Sequence, residues 1–150
     1  PDSNPGRQEQ LYGTDRYYDN LKAHIRLQEY GKFTIMHKDI EEILQMKNHF
    51  KGVNDEEKIF QIKADLAWAV QKLTEEILEH LCKFIHQTLN TDNLCLAGGV
   101  LLNSVSNYRL YKNKWFKQIF IQPAAGDNGT SIGSAFYGYY KALEEAGGLL

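Results

Sequence analysis

The apolar positions of this chain follow two rhythms. Ile59, Ile62, Leu66, Val70, Leu73, Ile77, Leu81 and Phe84 recur at steps of three and four, so on a helix they share one stripe. That helix is expected over about 55–89, with Asn54 and Glu57 at capping-box spacing before it and Asn90-Thr-Asp-Asn93 ending it. At ~1.5 Å per residue it would be roughly 50 Å long, beyond the usual length, so the pattern leaves room for a break. Beyond Asn93 the rhythm changes. Leu94 to Ala97 is a short apolar run suited to a buried strand, and it ends in Gly98-Gly99. Val100 to about Tyr111 can be helical, Phe116 to Gln122 reads as a second strand, and Pro123-Ala-Ala-Gly-Asp-Asn-Gly129 leads into a helix over 130–146. Strands alternating with helices imply βαβ units and a parallel sheet.

The first part of the chain is less regular. Residues 1–14 read as loop, and Leu21, Ile25 and Leu27 fit a short helix and a short strand equally. Phe33 and Ile35 alternate with Lys32 and Thr34, which predicts a strand in Gly31 to His37. Asp39 and Glu42 repeat the capping spacing ahead of Ile40, Ile43, Leu44 and Phe50, a short helix's apolar face, and 51–54 is a turn. The expectation is one partial domain: an irregular lead-in over 1–54 with a short strand and helix, then an α/β part over 55–146. The last helix carries Gly129, Gly133 and Gly138. Glycine inside a helix costs ~1 kcal/mol against alanine, so close packing on a sheet or a ligand is expected there. Gly147-Gly148 supplies its stop.

Composition narrows the function classes. With 150 residues, 43% hydrophobic and 24% charged, the chain can bury a core. A net charge of −2 disfavours a dedicated nucleic-acid-binding role. Cys82 and Cys95 form neither a C-x-x-C pair nor a disulfide framework, which suits reduced thiols and a cytoplasmic location. No apolar run approaches the ~20 residues of a membrane span. The chain opens at Pro1 without methionine and is expected to be a piece of a longer protein.

The candidate chemistry lies at the two strand-to-helix junctions. The first amides of a helix lack intrahelical partners and sit at its positive end, and glycines admit a ligand to the backbone. Gly98-Gly99 reads either as a ligand-binding turn of this kind or as a tight turn with no ligand; neither a P-loop nor G-x-G-x-x-G is present. Asn103, one turn on, can donate to and accept from a ribose or purine edge, or be an ordinary surface residue. Asp127, between Gly126 and Gly129 at a strand's carboxyl end, suits a divalent cation; the competing reading is that Asp127 or Asn128 caps the last helix. Gly129-Thr-Ser-Ile-Gly133 matches the nucleophile elbow G-x-S-x-G, but no His or Asp follows Ser131, so that reading is rejected. His80 and His86 are ~240° apart on a helix, His24, His37 and His49 are isolated, and no H-E-x-x-H occurs. Trp68, Trp115 and the tyrosines of 137–140 fit core or interface better than a stacking platform.

Taken together, Leu96-Ala-Gly-Gly-Val-Leu-Leu-Asn103 and Ile121-Gln-Pro-Ala-Ala-Gly-Asp-Asn-Gly129 closely resemble the carbamoyltransferase family of nodulation and antibiotic biosynthesis, which includes the cephem and nebramycin O-carbamoyltransferases. The segment from Ala64 through Thr74-Glu-Glu-Ile to Asp92-Asn-Leu-Cys-Leu looks like the family's long helix, and Tyr17-Tyr-Asp-Asn-Leu-Lys22 is compatible. The resemblance implies an α/β lobe of the actin-like ATPase (ribonuclease H-like) type. It also implies a reaction in which carbamoyl phosphate and ATP give carbamoyl-adenylate, whose carbamoyl group passes to a small-molecule hydroxyl acceptor. Gly98, Gly99, Val100, Asn103, Gly126, Asn128 and Gly129 would then contact the nucleotide. Asp127 would bind a divalent metal of iron type, whose remaining ligands, an upstream H-x-x-x-H pair, lie outside this chain. The rest of the parent chain, including an adenylate-forming domain, would be the partner, so the piece is expected to be inactive alone; a homo-oligomer is left open. The alternatives are a noncatalytic nucleotide- or partner-binding domain of actin-like descent and a relative of the tRNA threonylcarbamoyl transferases.

Overall fold

The computed structural model describes residues 15–36 and 52–148, which form two compact units, one reaching Thr88 and one starting at Leu89. The expected lead-in loop over 1–14 and the helix expected after Asp39 lie outside the described residues.

The first unit begins with a 3-10 turn, Asp15–Tyr17, that runs into α1, Tyr18–Ala23. Strands β1, Ile25–Leu27, and β2, Phe33–Ile35, follow, and then α2, Glu56–Leu89. The segment that fitted helix and strand equally is both, divided at His24, whose N–H returns to Leu21 O at 3.2 Å. β1 and β2 pair antiparallel, Ile25 opposite Ile35 and Leu27 opposite Phe33. Their turn passes through Tyr30 and Gly31 at φ 61° and 68°. Glycine is required at the second position twice over, because a Cβ there would also lie 2.8 Å from the Phe84 ring. His80 Nε2 lies 2.8 Å from Gln28 O and 3.0 Å from Lys32 O, so its N–H fastens the hairpin to α2.

Helix α2 runs 34 residues without the break its length allowed. Its start differs by one residue from the capping pattern: Asp55 rather than Asn54 is the cap. Asp55 precedes the first helical residue, and its Oδ1 accepts from Glu57 N at 3.1 Å and Lys58 N at 3.3 Å. The buried ridge is Ile62, Asp65, Ala69 and Leu73, with Cys82 further on, whereas Val70 of the expected stripe is 55% exposed. Ala69, fully buried, explains the shift: its small side chain lets α1 approach, and Tyr17, Tyr18 and Leu21 pack there against Ile62 and Leu73. Asp65 is tolerated in this ridge because Gln61 Nε2 donates to its Oδ1 at 2.8 Å. At the rim the Tyr18 hydroxyl donates to Glu76 Oε1 and accepts from Lys22 Nζ at 2.7 Å, while Lys22 Nζ lies 3.0 Å from Glu76 Oε2. Lys72 Nζ sits over the Tyr18 and Trp68 rings, 4.1 and 4.4 Å from their centroids.

The second unit contains β3, Asn93–Leu96, a 3-10 turn over Gly99–Leu102, α3, Ser104–Lys112, β4, Gln118–Ile121, and α4, Gly129–Glu145. β3 and β4 pair in parallel, Leu94 beside Ile119, Cys95 beside Phe120 and Leu96 beside Ile121, as the alternation of strands and helices required. The helix expected over 100–111 is divided at Asn103. Its backbone is extended, φ −77° and ψ 94°, and its Oδ1 accepts from Ser106 N at 3.1 Å, so it caps α3 instead of continuing the preceding turn. Leu94, Leu101, Ser106, Leu110, Phe116 and Ala125 are buried. α4 buries no residue, and a Cβ at Gly133 or Gly138 would meet nothing within 4 Å. Of the two partners expected for its glycines, a sheet or a ligand, close packing on the protein itself is met among the described residues only at Gly129. The helix does stop at the glycine pair: Gly147, at φ 71°, donates to Glu144 O and Gly148 to Leu143 O, a Schellman closure. The described chain is thus a mixed α/β structure with one parallel strand pair and one hairpin.

Candidate functional site

The carboxyl ends of β3 and β4 point the same way because the pair is parallel, so the two glycine-containing junctions emerge side by side. They are tied together: Gly98 N donates to Ala125 O at 2.8 Å. A Cβ on Gly126 would stand 3.4 Å from Leu102 Cδ1 and 3.9 Å from Gly99 Cα. Gly98 has φ 120° and ψ 150°, a conformation that L side chains rarely adopt, and it turns the chain from strand into the 3-10 turn. Gly129 serves a different need. A Cβ there would lie 2.3 Å from Ala124 O, so only glycine allows the 123–128 loop to fold back against the start of α4.

Between the junctions lies a cavity of about 560 Å³. Gly98, Gly99, Gly126, Asp127 and Gly129 line it, together with Gln122 and Thr130. Val100, Asn103 and Asn128 do not line it. The Asn103 side chain turns to the start of α3, as described above, and Ser131 Oγ donates to Asn128 O at 2.8 Å. Asn128 occupies the N-cap position of α4 yet makes no side-chain cap, and Thr130 donates through both N–H and Oγ1 to the Asp127 carbonyl, at 3.0 and 2.6 Å. The capping reading of Asp127 and Asn128 is corrected on this point: the loop closes through main-chain oxygens. The Asp127 carboxylate is exposed and takes no hydrogen bond or ion pair among the described residues.

A carboxylate at the mouth of a cavity is a suitable hard ligand for a divalent ion. Among the described residues, however, no group of three His, Cys, Asp or Glu side chains could hold a metal. The described chain offers one ligand, not a metal site.

The aliphatic and aromatic wall was not singled out from the sequence. Cys95 and Phe120, paired across the strands, line the cavity, and so do Ile132, Gly133 and Phe136 of α4. Two signals point to them. Phe120 is an aromatic at the out-facing parity of β4, whose burial alternates. Gly129, Ile132, Gly133 and Phe136 are spaced at three, four and seven residues, which puts them on one helical face.

The comparison with known families bears on this arrangement. A family model described as Carbamoyltransferase N-terminus matches residues 7–136. The chain belongs to this carbamoyltransferase N-terminal family. The match includes both junctions and the cavity between them, and it identifies the chain as part of a transferase family. An uncharacterized protein of Synechocystis is 43% identical over 89 residues, 59% of this chain and 14% of that protein. The nodulation protein NolO of Bradyrhizobium diazoefficiens is 37% identical over 71 residues, 47% of this chain and 13% of NolO. An uncharacterized protein of Methanocaldococcus jannaschii is 28% identical over 80 residues, 53% of this chain and 13% of its own length. The chain thus matches about an eighth of the length of these relatives.

Proposed function

We propose that this chain is the nucleotide-holding part of an ATP-dependent O-carbamoyltransferase, an α/β piece of an actin-like ATPase-type domain that binds ATP or carbamoyl-adenylate. The observation that carries the reading is the single cavity shared by Gly98-Gly99 and the Gly126–Gly129 junction. Family membership supplies the reaction class. In that reaction the acceptor hydroxyl oxygen bonds to the carbamoyl carbon, that carbon's bond to the oxygen bridging it to phosphorus breaks, and AMP leaves with the bridging oxygen as the hydroxyl proton passes to solvent.

The chain's own residues have defined tasks in this reading. Gly98 and Gly99 let the nucleotide reach the main chain. The N-terminus of α4, which no Asn128 side chain caps, would offer its positive end to the leaving phosphate. Asp127 would supply one oxygen ligand to a divalent ion of iron type whose other ligands lie outside this chain, and such an ion would neutralise developing charge. Carbamoyl phosphate, a small-molecule hydroxyl acceptor and an adenylate-forming domain of the parent protein complete the reaction.

The test is calorimetric titration of ATP into the chain and into a Gly99→Val variant. A Cβ at Gly99 meets nothing within 4 Å, so valine should be accommodated while filling the cavity. Binding by the parent and at least tenfold weaker binding by the variant are expected; equal binding, or none by the parent, rejects the site. In the longer parent protein, Asp127→Asn should lower carbamoyl transfer. A second reading, a noncatalytic nucleotide-binding domain, is favoured by the absence of a complete metal-ligand group among the described residues. It predicts nucleotide binding with no carbamoyl transfer by the full-length parent. A tRNA-modifying relative would instead show transfer to a nucleoside acceptor.

A further inference from the structure

We infer that Phe120 and Phe136 form the receptor for the flat ring of the ligand, so that the cavity selects a nucleotide by its base as well as by its phosphates; this rests on the nucleotide reading above. The cavity wall combines two kinds of group. The glycine turn, Asp127 and the start of α4 supply main-chain groups and a carboxylate, and Phe120 and Phe136 supply rings. Both rings are largely open to solvent, 58% and 59% exposed, so a ligand in the cavity can reach their faces.

Both rings come from the elements that frame the glycine junctions. Phe120 stands beside Cys95, three residues before Gly98, a stretch that spans at most about 10 Å at ~3.3 Å per residue. Phe136 lies seven residues into α4 from Gly129, about 10 Å at ~1.5 Å per residue. Rings this short a way along the chain from the glycine junctions, in the wall of one cavity, fit a ligand that carries both phosphate and a planar base. Tyr140 stacks on Phe136 with centroids 6.4 Å apart and planes 25° from parallel, which restrains the ring. Gly133, one turn before Phe136, also lines the cavity and has open space where a Cβ would be.

The experiment compares ATP with inorganic tripolyphosphate, which has the phosphates and no base, by calorimetry on the chain and on Phe120→Ala, Phe136→Ala and Phe136→Trp. Loss of one stacking ring typically weakens base binding about five- to a hundredfold. ATP should bind the parent more tightly than tripolyphosphate does. Each alanine variant should lose affinity for ATP within that range and keep its affinity for tripolyphosphate, and Phe136→Trp should keep ATP affinity. Far-ultraviolet circular dichroism confirms that the variants are folded. If ATP affinity is unchanged in both folded alanine variants, or if the parent binds ATP and tripolyphosphate equally, the rings are not the base receptor and the nucleotide reading stands. If the parent binds neither compound, both readings fall together.

Discussion

Single residues carry separable costs in this chain. Gly129 and Gly99 both line the cavity, yet they differ in what surrounds them. A methyl group at Gly129 meets a carbonyl oxygen at 2.3 Å, whereas one at Gly99 meets open space. Gly129→Ala should therefore destabilise the second unit by about 1–3 kcal/mol through overpacking. Gly99→Ala should leave it unchanged or stabilise it by up to about 1 kcal/mol, since it restricts the unfolded chain. Urea melts of the two variants decide this, and a larger loss at Gly99 would contradict the geometry. Asn103 invites a finer separation. Asn103→Ala removes the cap on Ser106 N and should cost about 1 kcal/mol. Asn103→Asp keeps a capping oxygen but removes the amide donor. If the amide contacts a nucleotide, as the resemblance implied, ATP affinity falls in the Asp variant; unchanged affinity removes Asn103 from the nucleotide's contacts.

Among the elements, the docking of α1 on α2 is the interaction with a pH signature. Burial pulls the Glu76 carboxyl upward, but hydrogen bonds from Tyr18 and Lys22, with the charges of Lys22 and Lys72, outweigh it and hold the group below its ordinary 4.5. A folded pKa below the unfolded one means stability that is present above about pH 4.5 and lost as pH falls through the lower folded value. The Tyr18 hydroxyl is raised above 10.0, by burial first and then by its hydrogen bond to Glu76. Lys22 is raised above 10.5, first by its hydrogen bond to Tyr18. Both favour the protonated form in the fold, so their contribution is full below about pH 10 and fades as pH rises beyond it. Glu76→Gln should flatten the acid limb of a stability-versus-pH curve, read from Trp68 emission in a Trp115→Phe background. An acid limb of unchanged shape would mean that other carboxylates govern it.

The element pattern was legible where a periodicity ran long enough to be unambiguous. Eight apolar positions at helical steps located α2 to within a residue or two. The short apolar runs before Gly98 and Pro123 located β3 and β4 as parallel neighbours. The split at Asn103 was not legible, because Val100 to Tyr111 contains no strong breaker. What divides it is a side-chain hydrogen bond that competes with the helix, and such a bond depends on three-dimensional geometry.

For the whole molecule, the two cysteines report on each unit separately. Burial, aided by the nearby Glu79 charge, pushes the Cys82 thiol up to about 11, whereas Cys95 is exposed in the cavity wall. At pH 8 iodoacetamide should modify Cys95 alone, since the thiolate is the reactive form. Saturating ATP should slow that reaction if the cavity is the binding site; mass spectrometry of the labelled peptides checks both statements. No helix of the described residues is long and apolar enough to cross a membrane. Tyr137, Tyr139 and Tyr140 of α4 are exposed among the described residues.

By itself the amino-acid order determined the long helix α2, the strands β3 and β4 and the helix α4, that β3 and β4 run parallel, and which family the paired junction motifs resemble. Each of these follows from local periodicity, from the handful of residue types that can start, stop or turn a chain, or from an unbroken string of residues. Tertiary structure alone decided that Gly99 and Gly126 nearly touch, that Asn103 and Asn128 stay out of the cavity while Phe120 and Phe136 enter it, and that Asp55 rather than Asn54 caps α2. Those outcomes depend on distances of a few ångströms between residues far apart in sequence, or on which of two neighbouring side chains reaches a free N–H, and no one-dimensional pattern encodes them.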